Sequence, residues 1–371
     1  MNITEHIRKT QSTFAEEPLT EVDSLMLCEL FYARWEAVLD SEGIDRLAPN
    51  YTVRDFYRNE YDALQFRDPI QDEEKMVFCA SAAGSKRFRD IKIKNLVAET
   101  SQEESKQFAA VTYEIDENTD YVCFRGTDGT LTGWKEDFDM SFMDEIPSQT
   151  EAFEYINRFY GPGTSGEKKR LYIGGHSKGG NLAAYAALCC DPQIHSRIIE
   201  VFSHDGPGFR EDVLSRLRVI QDESHIEINK TIPQSSIIGM LLQSEADITI
   251  IKSYAVGGFS QHSAFSWEIE DGKFVPVETL TYSGNYMNRM IQDWLESAPP
   301  ERREVFTNTL YDILTENEIH TIHDFKKLSP AKIFGIIDTF HDLDEDTKGA
   351  LVLTFKALMA SALEQLTPQN S

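Results

Sequence analysis

One short segment constrains the fold of this chain more than any other: an apolar run, then Gly-His-Ser-Lys-Gly, then a helix-forming run. Residues 171–173 predict a buried strand, and residues 178–190 predict a helix. Gly175, Ser177 and Gly179 lie at the passage between the two. A turn this tight strains the backbone of its central residue, and side chains two residues to either side would clash with the crossing backbone. The segment therefore predicts a strand–turn–helix unit with Ser177 at the turn.

The surrounding sequence alternates between strand and helix patterns. Residues 108–115 and 121–124 are β-prone runs around a turn-like stretch and predict a hairpin. After it, strands are predicted at 171–173, 198–202, 225–228 and 248–252, and helices at 149–160, 178–190, 209–221 and 235–243. Such alternation indicates an α/β fold, with a mostly parallel sheet and helices on both of its faces.

The two ends of the chain carry helical patterns. Apolar residues at helical spacing predict one long helix over residues 21–39, whereas residues 44–75 show no clear element. Helical segments are predicted at 301–316, 328–341 and 345–366. Because Pro299 and Pro300 cannot continue a preceding helix, we expect an α/β domain over 1–297 and a helical C-terminal appendage over 298–371. The appendage is expected to pack on the domain or to join two copies of the chain in a homo-oligomer.

Composition argues against several classes of partner. The formal net charge of -26 repels phosphate backbones and anionic lipid surfaces, so nucleic acid is not expected as a partner. The five cysteines include no Cys-x-x-Cys pair and predict neither a disulfide framework nor a zinc site. The first residues are polar, and no long uncharged apolar run follows, which predicts a soluble cytoplasmic protein without stable membrane insertion.

The strand–turn–helix unit also matches the nucleophile elbow of the α/β-hydrolase fold, with Ser177 as the nucleophile. A hydroxyl is a weak nucleophile at neutral pH and needs a general base, which an acid orients. In this fold the order along the chain is Ser, acid, His. His262 follows the last predicted strand in a glycine-containing loop, so it is the predicted base.

Two carboxylates compete for the role of the acid. Asp205 ends the strand after the nucleophile helix, whereas Asp247 opens the strand before His262. Active-site groups of open α/β sheets gather beyond the carboxyl ends of strands, which favours Asp205. The alternative for Asp205 is a turn residue in Asp-Gly-Pro-Gly.

An oxyanion hole needs two N–H donors, one from the residue after the nucleophile and one from an early strand-end loop. Lys178 supplies the first through its backbone, and Thr127 is predicted to supply the second, with its hydroxyl as a further donor. The role of Asp128 stays open. Residues 134–146 mix aromatic and acidic side chains, and either a lid over the site or an ordinary surface helix fits them.

These motifs together resemble a known family. Phe124-Arg125-Gly126-Thr127-Asp128 and the Gly-His-Ser-Lys-Gly-Gly-Asn elbow are similar to lipase class three proteins, and more closely to their bacterial Mbeg-like relatives, a family of unknown function. The resemblance spans residues 14 to 320. It implies Ser177 as nucleophile, His262 as base and Thr127 as oxyanion residue. The chain departs from class three lipases in residues 231–236, where their acid is expected and no carboxylate is present. Lys178 also replaces the apolar residue that is usual in lipase elbows.

The expected activity is hydrolysis of a carboxylic ester, including lipase-like acyl esters, through an acyl-Ser177 intermediate and without a metal or organic cofactor. The partner is then a small-molecule acyl substrate. An acyltransferase or thioesterase would use the same groups, and so would an enzyme that cleaves amides. A non-catalytic binding protein that keeps the fold is the alternative from another class.

Overall fold

The computed structural model describes residues 1–46, 51–66, 72–244 and 246–321, together with the single residues 324, 332 and 336. The strands are β1 Tyr51–Thr52, β2 Lys92–Ser101, β3 Lys106–Glu114, β4 Thr119–Phe124, β5 Arg170–His176, β6 Ile198–His204, β7 Ile228–Pro233, β8 Asp247–Ile251, β9 Ile269–Glu270 and β10 Lys273–Phe274. The helices are α1 Ile3–Lys9, α2 Glu21–Leu30, α3 Trp35–Glu42, α4 Asp62–Gln65, α5 Glu73–Gly84, α6 Leu131–Asp139, α7 Pro147–Tyr160, α8 Lys178–Cys189, α9 Pro192–His195, α10 Glu211–Ser224, α11 Gly258–Gln261, α12 Tyr282–Ser297 and α13 Pro300–Glu316.

One sheet of eight strands runs through the molecule in the order β1 to β8. β1 to β4 pair antiparallel, and each strand from β5 to β8 pairs parallel to the one before it. The predicted hairpin is confirmed as β3 and β4. Because β4 to β7 run in the same direction, their carboxyl ends lie along the same edge of the sheet. The α/β fold with a mostly parallel sheet is as predicted.

Each face of the sheet is covered by its own apolar cluster. In β4, Tyr121 and Cys123 belong to the cluster that includes α1, α2, α3 and α5. Val122 and Phe124 belong to the cluster of α7, α8 and α10. This division follows from the two-residue period of a strand, whose successive side chains point to opposite faces.

The single long helix predicted over residues 21–39 is wrong. The chain forms α2 and α3 with a break between them, where the backbone N–H of Arg34 donates to the carbonyl of Gln65 at 3.2 Å. Apolar periodicity did not show the break because both helices are buried in the same cluster, with Leu27 of α2 and Val38 of α3 fully enclosed. A pattern of burial continues across a bend when both segments pack on the same core.

Two predictions near the later strands also fail. Residues 235–243 do not form a helix: they contain a 3₁₀ turn at Ile238–Met240, and Leu242 has a φ of 62°. The strand predicted at 225–228 begins three residues later, because His225 ends α10 in the left-handed conformation with a φ of 56°. The sequence patterns also missed α5, β2 and α12.

The first predicted C-terminal helix is confirmed as α13, and it packs on α6. Phe306 of α13 lies against Phe138 with ring centroids 6.1 Å apart, and the N–H of Leu131 donates to the carbonyl of His320 at 2.8 Å. The helices predicted at 328–341 and 345–366 lie outside the described residues, apart from two single positions. Within the described part of the chain, no helix is long and apolar enough to cross a membrane.

Candidate active site

Ser177 lies at the turn between β5 and α8, as the sequence predicts. Its φ of 60° and ψ of -134° fall in a region that residues with a side chain rarely adopt. The residues around it, from Gly174 to His176 and from Lys178 to Asn181, are all buried, whereas Ser177 itself is partly exposed. The strained turn therefore presents the Ser177 hydroxyl at the carboxyl edge of the sheet.

The two motif glycines allow this turn. A Cβ atom on Gly175 would lie 2.1 Å from the backbone of Gly179, and one on Gly179 would lie 2.1 Å from the carbonyl oxygen of Phe124. Neither position has room for a side chain, because the obstructing atoms belong to the backbone. The steric requirement predicted for these glycines is confirmed.

His262 and Asp205 are brought together from different parts of the chain. His262 follows α11, and Asp205 follows β6 with a φ of 48°. The His262 Nδ1 lies 2.6 Å from the Asp205 Oδ2, while the carboxylate is fully buried and the imidazole keeps 21% of its side-chain surface exposed. A buried carboxylate at this distance holds the proton on Nδ1 and leaves Nε2 with its lone pair.

The second oxygen of Asp205 is also held. Its Oδ1 accepts hydrogen bonds from the Ser236 hydroxyl and from the N–H of Gly239 at 3.1 Å. These donors lie in the segment where a helix was predicted, so that segment serves instead to fix the carboxylate. Sequence patterns gave no role to Ser236 and Gly239. Asp247, the competing acid, is exposed at the amino end of β8.

The loop after β4 lies directly against the elbow. A Cβ on Gly126 would lie 3.0 Å from the Ser177 Cβ and 2.6 Å from the His176 carbonyl oxygen. Thr127 is thus next to the turn, although its hydroxyl donates to Asp137 Oδ2 at 2.7 Å. Burial raises the pKa of Asp137 to about 6. Lys178 begins α8, so its N–H has no acceptor within the helix.

The side chain of Lys178 forms a buried ion pair that the sequence did not predict. Its Nζ lies 2.6 Å from Glu136 Oε2, and neither side chain has any exposed surface. The Nζ also donates to the carbonyl of Gln107 at 2.7 Å, and Glu136 Oε1 accepts from the Ser148 N–H at 2.9 Å. The pair fastens α6, the start of the segment considered as a lid, to the elbow.

His176 is a further neighbour of His262. The two rings stack with centroids 4.6 Å apart, and His176 Nε2 lies 3.0 Å from the His262 carbonyl oxygen, which it can contact only as a donor. Burial lowers the pKa of His176 well below its usual value, which favours the neutral form of the ring. Glu29 Oε1 lies 3.2 Å from the Nδ1 of His176, and burial raises the pKa of Glu29 to about 7. In the sequence, only its position directly before Ser177 pointed to His176 as a residue of the site.

Comparison with known proteins places these elements in a family. A family model of Mbeg1-like proteins matches residues 82–312, which is more than half of the chain. The chain belongs to the Mbeg1-like family. The matched range contains Ser177, Asp205 and His262, and it also contains the oxyanion candidates Thr127 and Lys178. No curated protein sequence matches this Mbeg1-like chain.

Solved structures similar to this Mbeg1-like chain include lipases. M37 lipase is 13% identical, with 74% of this chain and 80% of that chain covered and a TM-score of 0.35. A lipase from Rhizopus microsporus var. chinensis is 16% identical, with 53% and 69% covered and a TM-score of 0.33. The Rhizomucor miehei lipase in its propeptide complex is 14% identical, with 47% of this chain and 58% of that chain covered and a TM-score of 0.31. At these values the similarities carry no information on activity.

Proposed function

We propose that this protein is a serine hydrolase that acts on carboxylic esters, with Ser177, His262 and Asp205 as its catalytic residues. The observation that carries the proposal is the 2.6 Å contact between His262 Nδ1 and the buried Asp205. That contact joins a base and its orienting acid at the sheet edge where the strained turn presents Ser177. Such an arrangement serves nucleophilic catalysis on several unrelated folds.

The proposed reaction has two halves. His262 Nε2 takes the proton of the Ser177 hydroxyl while the oxygen attacks the acyl carbon, and the resulting imidazolium is stabilised by Asp205. The imidazolium then gives the proton to the leaving alcohol. Water, activated by His262 in the same way, hydrolyses the acyl-Ser177 ester and releases the carboxylic acid. No cofactor enters these steps.

The backbone N–H groups of Thr127 and Lys178 are the proposed oxyanion donors. The Gly126 backbone lies against Ser177, and Lys178 begins a helix whose N-terminal end favours negative charge. Donors fixed before the reaction stabilise the charge that develops on the acyl oxygen. Asp137 holds the Thr127 side chain and so supports the position of this loop.

A panel of acyl substrates tests the proposal. We expect the purified protein to hydrolyse p-nitrophenyl esters of some chain length at a rate at least about 10³-fold above the Ser177→Ala variant. Thioesters and anilides of the same acyl groups, assayed in parallel, separate esterase from thioesterase or amidase activity. Equal turnover by the variant, or no turnover of any ester, would contradict the proposal and favour a non-catalytic binding protein.

A further inference from the structure

Lys230 is a buried lysine of the eight-stranded sheet. It lies on β7, opposite Ser203 of β6 and Ile248 of β8, and is only 3% exposed. The next residue, Thr231, contacts Glu21 of α2 through its hydroxyl. Because successive side chains of a strand point to opposite faces, Lys230 lies on the face covered by α8 and α10.

A small, partly enclosed cavity adjoins Lys230 on that face. Its volume is about 20 Å³. The lining is mainly apolar, with few polar residues, and includes Leu188, Ser203, Phe209, Leu214, Gln221 and Lys230. A space of this size holds about one water-sized group, since a water needs roughly 10–15 Å³ by the same measure.

The ammonium group of Lys230 has no hydrogen-bond or ion-pair partner among the residues that the structure describes. Other enclosed lysines differ: Lys178 pairs with Glu136 at 2.6 Å, and Lys106 pairs with Glu151 at 2.9 Å. Asp205 acts on Lys230 through space, but its two oxygens are bound to other donors. Within the described ranges of the chain, Lys230 is therefore a buried cation without a contacting counter-ion.

The pKa of Lys230 reflects the lack of a contacting counter-ion. Burial lowers the pKa of Lys230 to about 8, and the charge of Asp205 opposes that shift. The group is still roughly nine-tenths protonated at pH 7. A charge taken out of water without a partner is strongly unfavourable, and a bound ion of opposite charge would offset that cost.

We propose that the cavity beside Lys230 binds a halide ion as the counter-ion of the Lys230 ammonium. The size of the cavity suits one small group, and a single lysine supplies one positive charge. Anions of several heavy atoms, such as acetate and sulfate, exceed the space, and the apolar lining offers too few donors to stabilise a second charge. The site is separate from the proposed catalytic residues and does not depend on their activity.

Thermal unfolding at constant ionic strength tests the site. In wild-type protein at pH 7, we expect Tm to be higher in about 0.2 M sodium chloride than in sodium acetate or sodium gluconate, by roughly 2 °C or more. The acetate and gluconate ions are too large for the cavity. In Lys230→Met, Tm should be the same in all three salts. In Lys252→Met, which alters a lysine that is half exposed, the wild-type difference should persist.

Two outcomes would overturn the proposal: equal Tm of the wild type in the three salts, or an undiminished difference in Lys230→Met. If Lys230→Met does not fold, bromide replaces the variant. Anomalous diffraction from wild-type crystals in sodium bromide should show a peak within about 3.5 Å of the Lys230 Nζ, and an empty cavity at that concentration would contradict the proposal.

Discussion

At the scale of single residues, Asp205 determines what His262 can do. Its Oδ2 contacts the imidazole, while its Oδ1 is fixed by the Ser236 hydroxyl and the Gly239 N–H. If the carboxylate rotated away from His262, it would break both of these hydrogen bonds and leave the Ser236 hydroxyl proton without an acceptor. The Nδ1 proton of the imidazole is thereby held in place, and Nε2 is kept free to accept a proton.

We predict that Asp205→Asn lowers kcat by roughly 10⁴-fold while the fold is retained. The amide oxygen should remain on Ser236 and Gly239, which places the NH₂ group against His262 Nδ1. Nδ1 of His262 must then accept a hydrogen bond from the amide. The ring proton therefore moves to Nε2, and the imidazole can no longer serve as a base. Turnover of the best ester, with circular dichroism as the check on folding, measures the effect.

Asp247→Asn is the matched control for this substitution. Asp247 was the competing candidate for the acid, and it is exposed at the amino end of β8. We expect its turnover to stay within about twofold of wild type, since surface substitutions away from a site change little. A loss below about tenfold in Asp205→Asn, or a large loss in Asp247→Asn, would contradict the assignment of the acid.

At the scale of elements, sequence patterns located the turns and strands that neighbouring residues determine. They missed the contacts between residues that are distant in the sequence. The turn at Ser177 and the hairpin of β3 and β4 follow from local patterns of glycine and alternation. The ion pair of Lys178 and Glu136 joins residues 42 positions apart, and no local pattern indicates it. The segment around Ser236 was mistaken for a helix because its donors serve Asp205, which is 31 residues away.

The Lys178–Glu136 pair makes a prediction about the stability of the elbow. We expect Lys178→Met to lower the free energy of unfolding by about 3–5 kcal/mol, because Glu136 would remain buried and charged without its partner. Lys252→Met is the control, since its pair with Glu268 is half exposed and should cost about 1 kcal/mol or less. Urea denaturation of the two variants measures the difference. An equal loss of unfolding free energy in both variants would contradict the prediction that the buried pair contributes more to stability than the exposed one.

At the scale of the whole molecule, the first C-terminal helix, α13, packs against the α/β domain. α13 packs on α6, and the ion pair of Glu136 and Lys178 joins α6 to α8. α12 ends at Ser297 and α13 begins at Pro300, and the division into two domains at this point stays a prediction. We infer that α13 unfolds together with the α/β domain, because an apolar contact joins them.

Phe306→Ala tests this connection. The side chain is 2% exposed and lies against Phe138, so its removal should lower the free energy of unfolding by about 3–5 kcal/mol. The neighbouring Val305 is 56% exposed, and Val305→Ala should change stability by less than about 0.5 kcal/mol. One cooperative urea transition, shifted only in Phe306→Ala, is the expected result. A separate early transition in wild type would indicate that α13 belongs to an independent unit.

The central claim is that Ser177 is an activated nucleophile, and labelling with a fluorophosphonate probe tests it most directly. The probe needs a serine with a general base and oxyanion donors, but it does not require knowledge of the natural substrate. Peptide mapping by mass spectrometry should locate the label on Ser177, and Ser177→Ala should remain unlabelled. Label on another serine, or equal labelling of Ser177→Ala and wild type, would contradict the account.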